Sequence, residues 1–490
     1  MTKSLSRRDF LKRTTAVSAT VAFSRSVDLT AAEPKKDKLP NLVFMFPDQF
    51  RRQAVGCMNE DPVITPCLDR FASQSLVLTD AVSSYPVCSP FRAQLFTGKY
   101  PISNGVTSNC NSGKDVMLKQ DQRCLSDILC DNEYNLGYLG KWHLDKPYEP
   151  YVGRRRGRPG MPGGGIVWDE FVPAHRRHGF TFWHAYNCRD QHLNPRYWTT
   201  NAKRDEPTYF DEWSTKHEAD VAIEFIRNPQ GKYRDPNKPF ALFIAPNPPH
   251  TPFEQVLRKY VDMYKDKDYR DLLNRPNVDL DNPHPQAKEN VKNYFAAVTG
   301  TDEQFGRILD TLKEQQLEEN TIVVFTADHG EMMGSHNLMH KGVPYEESIG
   351  IPFIIRWPGK IPARRDDLLL TPADIMPSLL GLIGLSNRIG RDIEGGDYSS
   401  IMLGKPGTRP TSALYLTCGG PKDGTRGLRT HRYTFTITPN KDGKKEILLF
   451  DNQKDPYQLN NIAESSPKVV RRLTSELRQW LDKTNDPWKA

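Results

Sequence analysis

Three short apolar runs along the chain stop abruptly at polar residues. Leu42-Val43-Phe44-Met45-Phe46 precedes Pro47-Asp48-Gln49, Phe240 to Ala245 precedes Asn247 and His250, and Ile322-Val323-Val324-Phe325 precedes Asp328-His329. Uninterrupted apolar runs of this length predict parallel strands buried on both faces. In an open α/β sheet, ligands gather at the carboxyl ends of such strands, where these polar residues fall. Between the runs the period changes. Lys216 to Arg227 reads as a helix, and Ala287 to Glu319 as a long one, because Val291, Tyr294, Phe295, Val298, Phe305, Ile308 and Leu312 recur at helical spacing. Alternating strand and helix predict an α/β architecture, a large and mostly parallel sheet sandwiched by helices.

Two regions break this rhythm. From Tyr151 to Tyr209 the chain is rich in Gly, Pro, Arg and aromatic residues, has little periodicity, and reads as an insertion or long loop. Loops of that length are uncommon unless functional. After Ala373-Asp374-Ile375-Met376-Pro377-Ser378-Leu379-Leu380 the pattern shifts to short strands, Tyr433 to Ile437 and Ile447 to Phe450, and closes on a helix near Lys468 to Asp482. The expected organisation is a leader over residues 1–32, a main domain over 38–400 carrying the 151–209 insertion, and a smaller C-terminal α+β subdomain over 401–490.

The leader changes the expected destination. Ser6-Arg7-Arg8-Asp9-Phe10-Leu11-Lys12, a mildly apolar stretch from Thr14 to Phe23, and Thr30-Ala31-Ala32 as a small-residue cleavage site follow one another in the order of a twin-arginine signal. Such a signal implies export of a folded chain by the twin-arginine machinery to the periplasm or the exterior. An apolar share of 37% over 490 residues, without a later run near the roughly 20 apolar residues a spanning helix needs, predicts no transmembrane segment in the mature chain. The eight cysteines show no paired CxxC spacing, which argues against a zinc ribbon and leaves disulfide pairing open. The net charge of +7 is concentrated in Arg154-Arg155-Arg156-Gly157-Arg158 and His175-Arg176-Arg177-His178. No nucleic-acid-binding motif accompanies that charge, so a solvated loop and an anion-facing rim are the two readings.

The most specific chemical signal is Cys88-Ser89-Pro90-Phe91-Arg92-Ala93-Gln94-Leu95-Phe96-Thr97-Gly98. Pro90 suits a first helical turn, so Cys88 is expected at a helix N-terminus, where unpaired N–H groups and the dipole favour an anion. Arg92 adds a fixed positive fork. A lone cysteine at a helix start is ordinarily a packing residue, but the segment resembles the formylglycine-dependent (type I) sulfatase signature at every fixed position. Gly140-Lys141-Trp142-His143-Leu144, Pro248-Pro249-His250-Thr251-Pro252, His340-Lys341-Gly342, and the terminal Leu449-Phe450-Asp451 and Asp455-Pro456 resemble further segments of that family, which is related to alkaline phosphatase.

The resemblance implies conversion of Cys88 to formylglycine by a maturase, attack of its hydrated aldehyde on sulfur, and expulsion of sulfate as the aldehyde regenerates. It implies a divalent metal, commonly calcium, among Asp48, Gln49, Cys88, Asp328 and His329. Carboxylate and amide oxygens suit a hard cation. Gln49 stands where many members carry Asp and His329 where many carry Asn, so magnesium and manganese are alternatives. Lys141 and His143 are implied sulfate contacts, and alternation on a strand would point both to one side. His250 and Lys341 are implied to stabilise or protonate the leaving oxygen. Together with Arg92 they supply positive charge on several sides and a proton for the departing alcohol.

The expected function is hydrolysis of sulfate esters, with a sulfated carbohydrate as substrate. Two rivals stand beside it. A phosphonate monoester or phosphodiester hydrolase of the same superfamily shares the Asp-Gln and Asp-His metal pattern but uses uncharged hydroxyl side chains in place of Lys141 and His143. An unmatured sulfoglycan-binding protein would follow if Cys88 stayed a thiol. Trp168, His175, Trp183, His184, His192, Arg196 and Trp198 in the 151–209 insertion are expected to line a sugar pocket. Because twin-arginine export carries folded chains, conversion of Cys88 is expected before export.

Overall fold

A computed structural model describes residues 38–110, 115–147, 169–418, 420–440, 442 and 444–489. The twin-arginine segment, Arg154 to Arg158 and Trp168 lie outside these residues.

The central apolar runs form the strands they predict. In chain order the main sheet holds β1 (Asn41–Met45), β2 (Leu76–Leu78), β3 (Asn135–Lys141), β4 (Phe182–Tyr186), β5 (Arg196–Thr199), β6 (Thr208–Tyr209), β7 (Phe240–Ala245), β8 (Thr321–Thr326), β9 (Phe353–Arg356) and β10 (Arg364–Asp366). Their order across the sheet is β10-β2-β9-β8-β1-β7-β3-β4-β5-β6. The middle strands β8, β1, β7, β3 and β4 run parallel, with Phe44 opposite both Phe243 and Val324. Every residue of β1, β7 and β8 is buried, which is why they read as unbroken apolar runs rather than alternating ones.

Helices cover the sheet. Ser214–Arg227 packs on Pro285–Glu314, whose Val291, Tyr294, Phe295, Val298, Phe305, Ile308 and Leu312 are all buried. The long helix ends at Glu314, earlier than its pattern suggested, and a short 3₁₀ turn occupies Glu318–Asn320.

The described part of the 151–209 region is not a loop. It contributes β4, β5 and β6, with β4 parallel to β3 and β5 antiparallel to β4. These strands are two to five residues long, too short for a period to show, and they are built from aromatic residues that favour strands. Trp183 stacks on Tyr138 of β3 with ring centroids 5.3 Å apart. Trp183, His184 and Trp198 are buried, Trp183 and His184 also border a cavity with Phe182 and Tyr233, and His175 is exposed.

The C-terminal region forms a second, antiparallel sheet in the order β11 (Ser412–Thr417), β12 (Thr425–Thr430), β13 (Tyr433–Pro439), β14 (Lys445–Asp451). The helix Pro467–Lys483 lays Leu473, Leu477 and Leu481, spaced at i, i+4, into a core with Phe435 and Leu449. All eight cysteines are unpaired.

Glu346 ties this second sheet to the main body. It accepts from Arg52 at 3.0 Å and from Arg429 of β12 at 2.6 Å, and Arg429 also reaches Asp80 at 3.2 Å. Burial alone would raise the Glu346 carboxyl, but Arg429 and Arg52 outweigh it and hold it down at about 2. A folded-state value below the unfolded value of 4.5 means that the stabilisation is complete above that pH and is lost as the pH falls towards 2. The shift corresponds to on the order of 3 kcal/mol. Glu346→Gln is expected to lower the urea midpoint at pH 7 and to remove part of the acid sensitivity below pH 4.5. An unchanged midpoint in equilibrium unfolding would show that the network does not join the two sheets energetically.

Candidate active site

Polar residues from four strand ends converge beneath the N-terminus of one helix. Asp48 and Gln49 follow β1, Asp328 and His329 follow β8, Lys141 closes β3, and Asn247 follows β7. Above them the helix Cys88–Thr97 is buried along its whole length and starts with Cys88 itself. No side chain caps its first residue from Val87, and the Ser89 N–H donates to Asn109 Oδ1 at 3.2 Å. Cys88 Sγ lies 3.4 Å from His329 Nε2, 3.6 Å from Asp48 Oδ1 and 3.8 Å from Lys141 Nζ. Arg92, one helical turn on, places Nη2 3.2 Å from both Asp48 Oδ2 and Asp328 Oδ2, and its Nη1 donates to the Lys141 carbonyl. Lys141 Nζ pairs with Asp48 Oδ2 at 2.8 Å and donates to Asn247 Oδ1 at 3.0 Å.

These groups shift one another strongly. Burial alone would raise Asp48, but Lys141, His250, His329 and Arg92 carry it well below the usual carboxylate range. Asp328 goes the other way, to about 7, because of its own burial and the adjacent Asp48 charge. Burial and the neighbouring Asp48 push the Cys88 thiol up to about 12, so as encoded this side chain is a neutral thiol at neutral pH. His143 and His250 are held well below their ordinary value, first by burial and then by Lys141 and Lys341. His329 is lowered to about 3 by burial and Lys341. Neutral imidazoles and fixed cations therefore surround a helix N-terminus, an arrangement suited to a tetrahedral oxyanion.

Residues 40–385 match the model of the sulfatase family, and residues 334–486 match that of the N-sulphoglucosamine sulphohydrolase C-terminal region. This chain belongs to the sulfatase family. It is 40% identical to an endo-4-O-sulfatase of Bacteroides thetaiotaomicron, over 92% of this chain and 93% of that one. An ulvan-active sulfatase of Formosa agariphila is 34% identical over 94% of this chain and 83% of its own. Among solved structures, a sulfatase of Bacteroides thetaiotaomicron, described in the context of glycosaminoglycan metabolism, superposes with a TM-score of 0.85 at 38% identity. It covers 92% of this chain and 97% of that one. The yidJ sulfatase of Bacteroides fragilis reaches 0.85 at 42% identity, covering 93% and 98%. Sulfatases hydrolyse sulfate esters, and this chain is one of them.

The donor set of this sulfatase fits a divalent cation. Asp48, Cys88, Asp328 and His329 present ligand atoms all within 4.8 Å of one another, and all four are buried. Two carboxylates share one guanidinium nitrogen, and the raised Asp328 marks a deficit of positive charge that a cation would relieve. His329 Nδ1–H donates to the Gly330 carbonyl at 3.0 Å, which leaves Nε2 as the lone-pair nitrogen facing the cluster. The Gln49 side chain is held otherwise: Oε1 accepts from Lys341 Nζ at 2.5 Å and Nε2 donates to Glu331 Oε2 at 2.5 Å. Its backbone N–H joins the cluster instead, donating to Asp328 Oδ1 at 3.0 Å.

The structure brings Cys88, Arg92, Lys141, His143, His250 and Lys341 around one point, though not always for the reason the sequence suggests. Strand β3 ends at Lys141, and His143 sits beyond it with φ 54°. Its N–H donates to the Asn187 carbonyl at 2.7 Å and its carbonyl accepts from Ser89 Oγ at 2.6 Å. Loop hydrogen bonds, not strand alternation, place it. Gln49, at φ 64°, is likewise left-handed. Such backbone costs on the order of 1–3 kcal/mol and persists only where the surroundings impose it.

Two residues escaped the sequence reading of the site. Asp190 lies 3.6 Å from His250 Nδ1. Glu331, fully buried, accepts from Gln49 Nε2 and from the N–H groups of Met333 at 2.8 Å and His340 at 2.7 Å. Glu331→Ala leaves three buried donors unpaired and releases the Gln49–Lys341 pair, so kcat/KM for sulfate release is expected to fall roughly 10- to 100-fold. An unchanged value in steady-state assays would show that Gln49 and Lys341 hold their places without it.

Proposed function

We propose that this sulfatase removes sulfate from a sulfated glycan, using a formylglycine made from Cys88 and a divalent cation, calcium first, held by Asp48, Asp328 and His329. The observation that carries the reading is the gathering of Arg92, Lys141, His143, His250 and Lys341 around one buried cysteine at a helix N-terminus. The glycan rests on the names of the relatives, an endo-4-O-sulfatase and an ulvan-active sulfatase. When present, formylglycine supplies a hydrated aldehyde oxygen as nucleophile, and the cation supplies charge against the sulfuryl oxygens.

The chain's own residues do the rest. Arg92 and Lys141 fix Asp48 and hold positive charge beside the Cys88 position, so little reorganisation is needed as charge develops on sulfate. His250 donates Nδ1–H to the Thr251 carbonyl at 2.8 Å, which leaves Nε2 of this neutral ring as an acceptor, so the proton for the departing alcohol falls to Lys341 Nζ. Lys341, whose Nζ donates to Gln49 Oε1, adds positive charge on the same side, and that charge reaches Cys88, His250 and His329.

The reading requires a formylglycine-generating maturase and, given the leader, the twin-arginine machinery, with action in the periplasm or outside the cell. No helix among the described residues is long and apolar enough to cross a membrane.

Protein from its own host is expected to show the Cys88 peptide with sulfur and two hydrogens exchanged for one oxygen. Cys88→Ala is expected to release no sulfate from sulfated oligosaccharides while keeping its circular dichroism. Asp328→Ala should lose both bound cation, measured by elemental analysis, and activity. Near-normal turnover of either variant, or turnover of a phosphodiester in place of every sulfate, would end this mechanism.

A further inference from the structure

We infer that Arg189 and Tyr209, at the rim of the active site, form a subsite for an anionic group on the sugar adjoining the sulfated one. The inference rests on the glycan reading above and deepens it.

The segment after β4 forms one wall of the site. The Asn247 side chain donates to the Arg189 carbonyl at 3.0 Å and to Asp190 Oδ1 at 3.1 Å, while its oxygen accepts from Lys141 Nζ. Lys141 Nζ in turn lies 3.8 Å from Cys88 Sγ. The Arg189 backbone is thus tied through Asn247 and Lys141 to the reacting position without touching it.

The side chain of Arg189 lies over the ring of Tyr209, 5.8 Å from its centroid, and Arg196 approaches the same ring at 6.0 Å. Tyr209 is 58% exposed, one of few large hydrophobic residues so placed among the described residues. The two arginines differ in their commitments. Arg196 gives Nε and Nη2 to Asp169 Oδ2 at 3.0 and 2.7 Å, and Nη1 to the Tyr209 hydroxyl at 3.3 Å. Among the described residues the Arg189 guanidinium makes no hydrogen bond or ion pair, and its Nε is buried without a partner.

A buried guanidinium nitrogen left unpaired is costly, and a second arginine beside it adds repulsion. Burial and Arg196 together lower the Arg189 pKa, the sign of a site short of negative charge. A planar fork beside an exposed aromatic face matches a carboxylate or sulfate carried on a sugar ring: the fork takes two oxygens and the ring packs against the sugar's C–H face. A uronate carboxylate and a second sulfate share this chemistry.

The test compares wild type, Arg189→Ala and Tyr209→Ala on three substrates. These are a sulfated, uronate-containing glycosaminoglycan oligosaccharide, the same oligosaccharide with its carboxyls reduced to alcohols, and a small aryl sulfate. Arg189→Ala is expected to lower kcat/KM on the acidic oligosaccharide about 10- to 100-fold, through KM, with aryl sulfate turnover unchanged. Carboxyl reduction should cost the wild type a similar factor and cost Arg189→Ala nothing. Tyr209→Ala should weaken both oligosaccharides alike. If a second sulfate is the anion, the same pattern appears between singly and doubly sulfated oligosaccharides instead. Wild-type behaviour of Arg189→Ala on every oligosaccharide, or an equal loss on the aryl sulfate, would overturn the inference. Hydrolysis of the aryl sulfate alone by the wild type would overturn the glycan reading with it.

Discussion

The site depends on one buried guanidinium. Arg92 leaves its helix fully inaccessible to solvent and reaches the ends of three strands at once: Asp48 after β1, Asp328 after β8, and the Lys141 carbonyl at the close of β3. It also lies over the Phe46 ring, 5.1 Å from its centroid. Taking such a charge out of water costs several kcal/mol, which the two carboxylates and the Lys141 carbonyl offset through Nη1 and Nη2, while Nε is buried without a partner. The helix cannot shift without breaking all of these contacts together, so the position of Cys88 above the strand ends is set by Arg92 rather than by apolar packing alone. Five donors in a planar fork make this possible, which a lysine ammonium at the same place could not do.

The same cluster divides two similar carboxylates. Asp48 has Lys141 at 2.8 Å as well as its share of Arg92, whereas Asp328 has the guanidinium and two N–H donors, from Gln49 and His329. One is held ionised and the other is pushed towards neutrality. Burial and the neighbouring lysines keep the imidazoles of His143, His250 and His329 uncharged around the pair.

Much of this was legible in the residues. The central strands announced themselves because burial on both faces removes every polar interruption, and the Cys88-x-Pro90-x-Arg92 segment because it resembles the sulfatase signature. What escaped was local and aromatic. The strands β4 to β6 are shorter than any period, and they draw stability from contacts such as Trp183 on Tyr138 that link residues 45 positions apart. The orientation of His143 comes from a left-handed backbone and the Asn187 carbonyl rather than from strand alternation. Glu331 and Asp190 touch other site residues rather than the reacting centre, and a single sequence carries no mark that separates such a carboxylate from an ordinary one.

The burial of Cys88 also sets a deadline. At 1% exposure, on the first turn of a helix with no solvent-facing residue, this side chain cannot enter another enzyme's active site once the domain has closed. Any enzyme that converts it must act on a chain in which the Cys88 helix has not yet docked and Arg92 has not met its carboxylates. If Cys88 is modified, folding and modification compete for the same nascent segment, and a chain that folds first keeps its thiol.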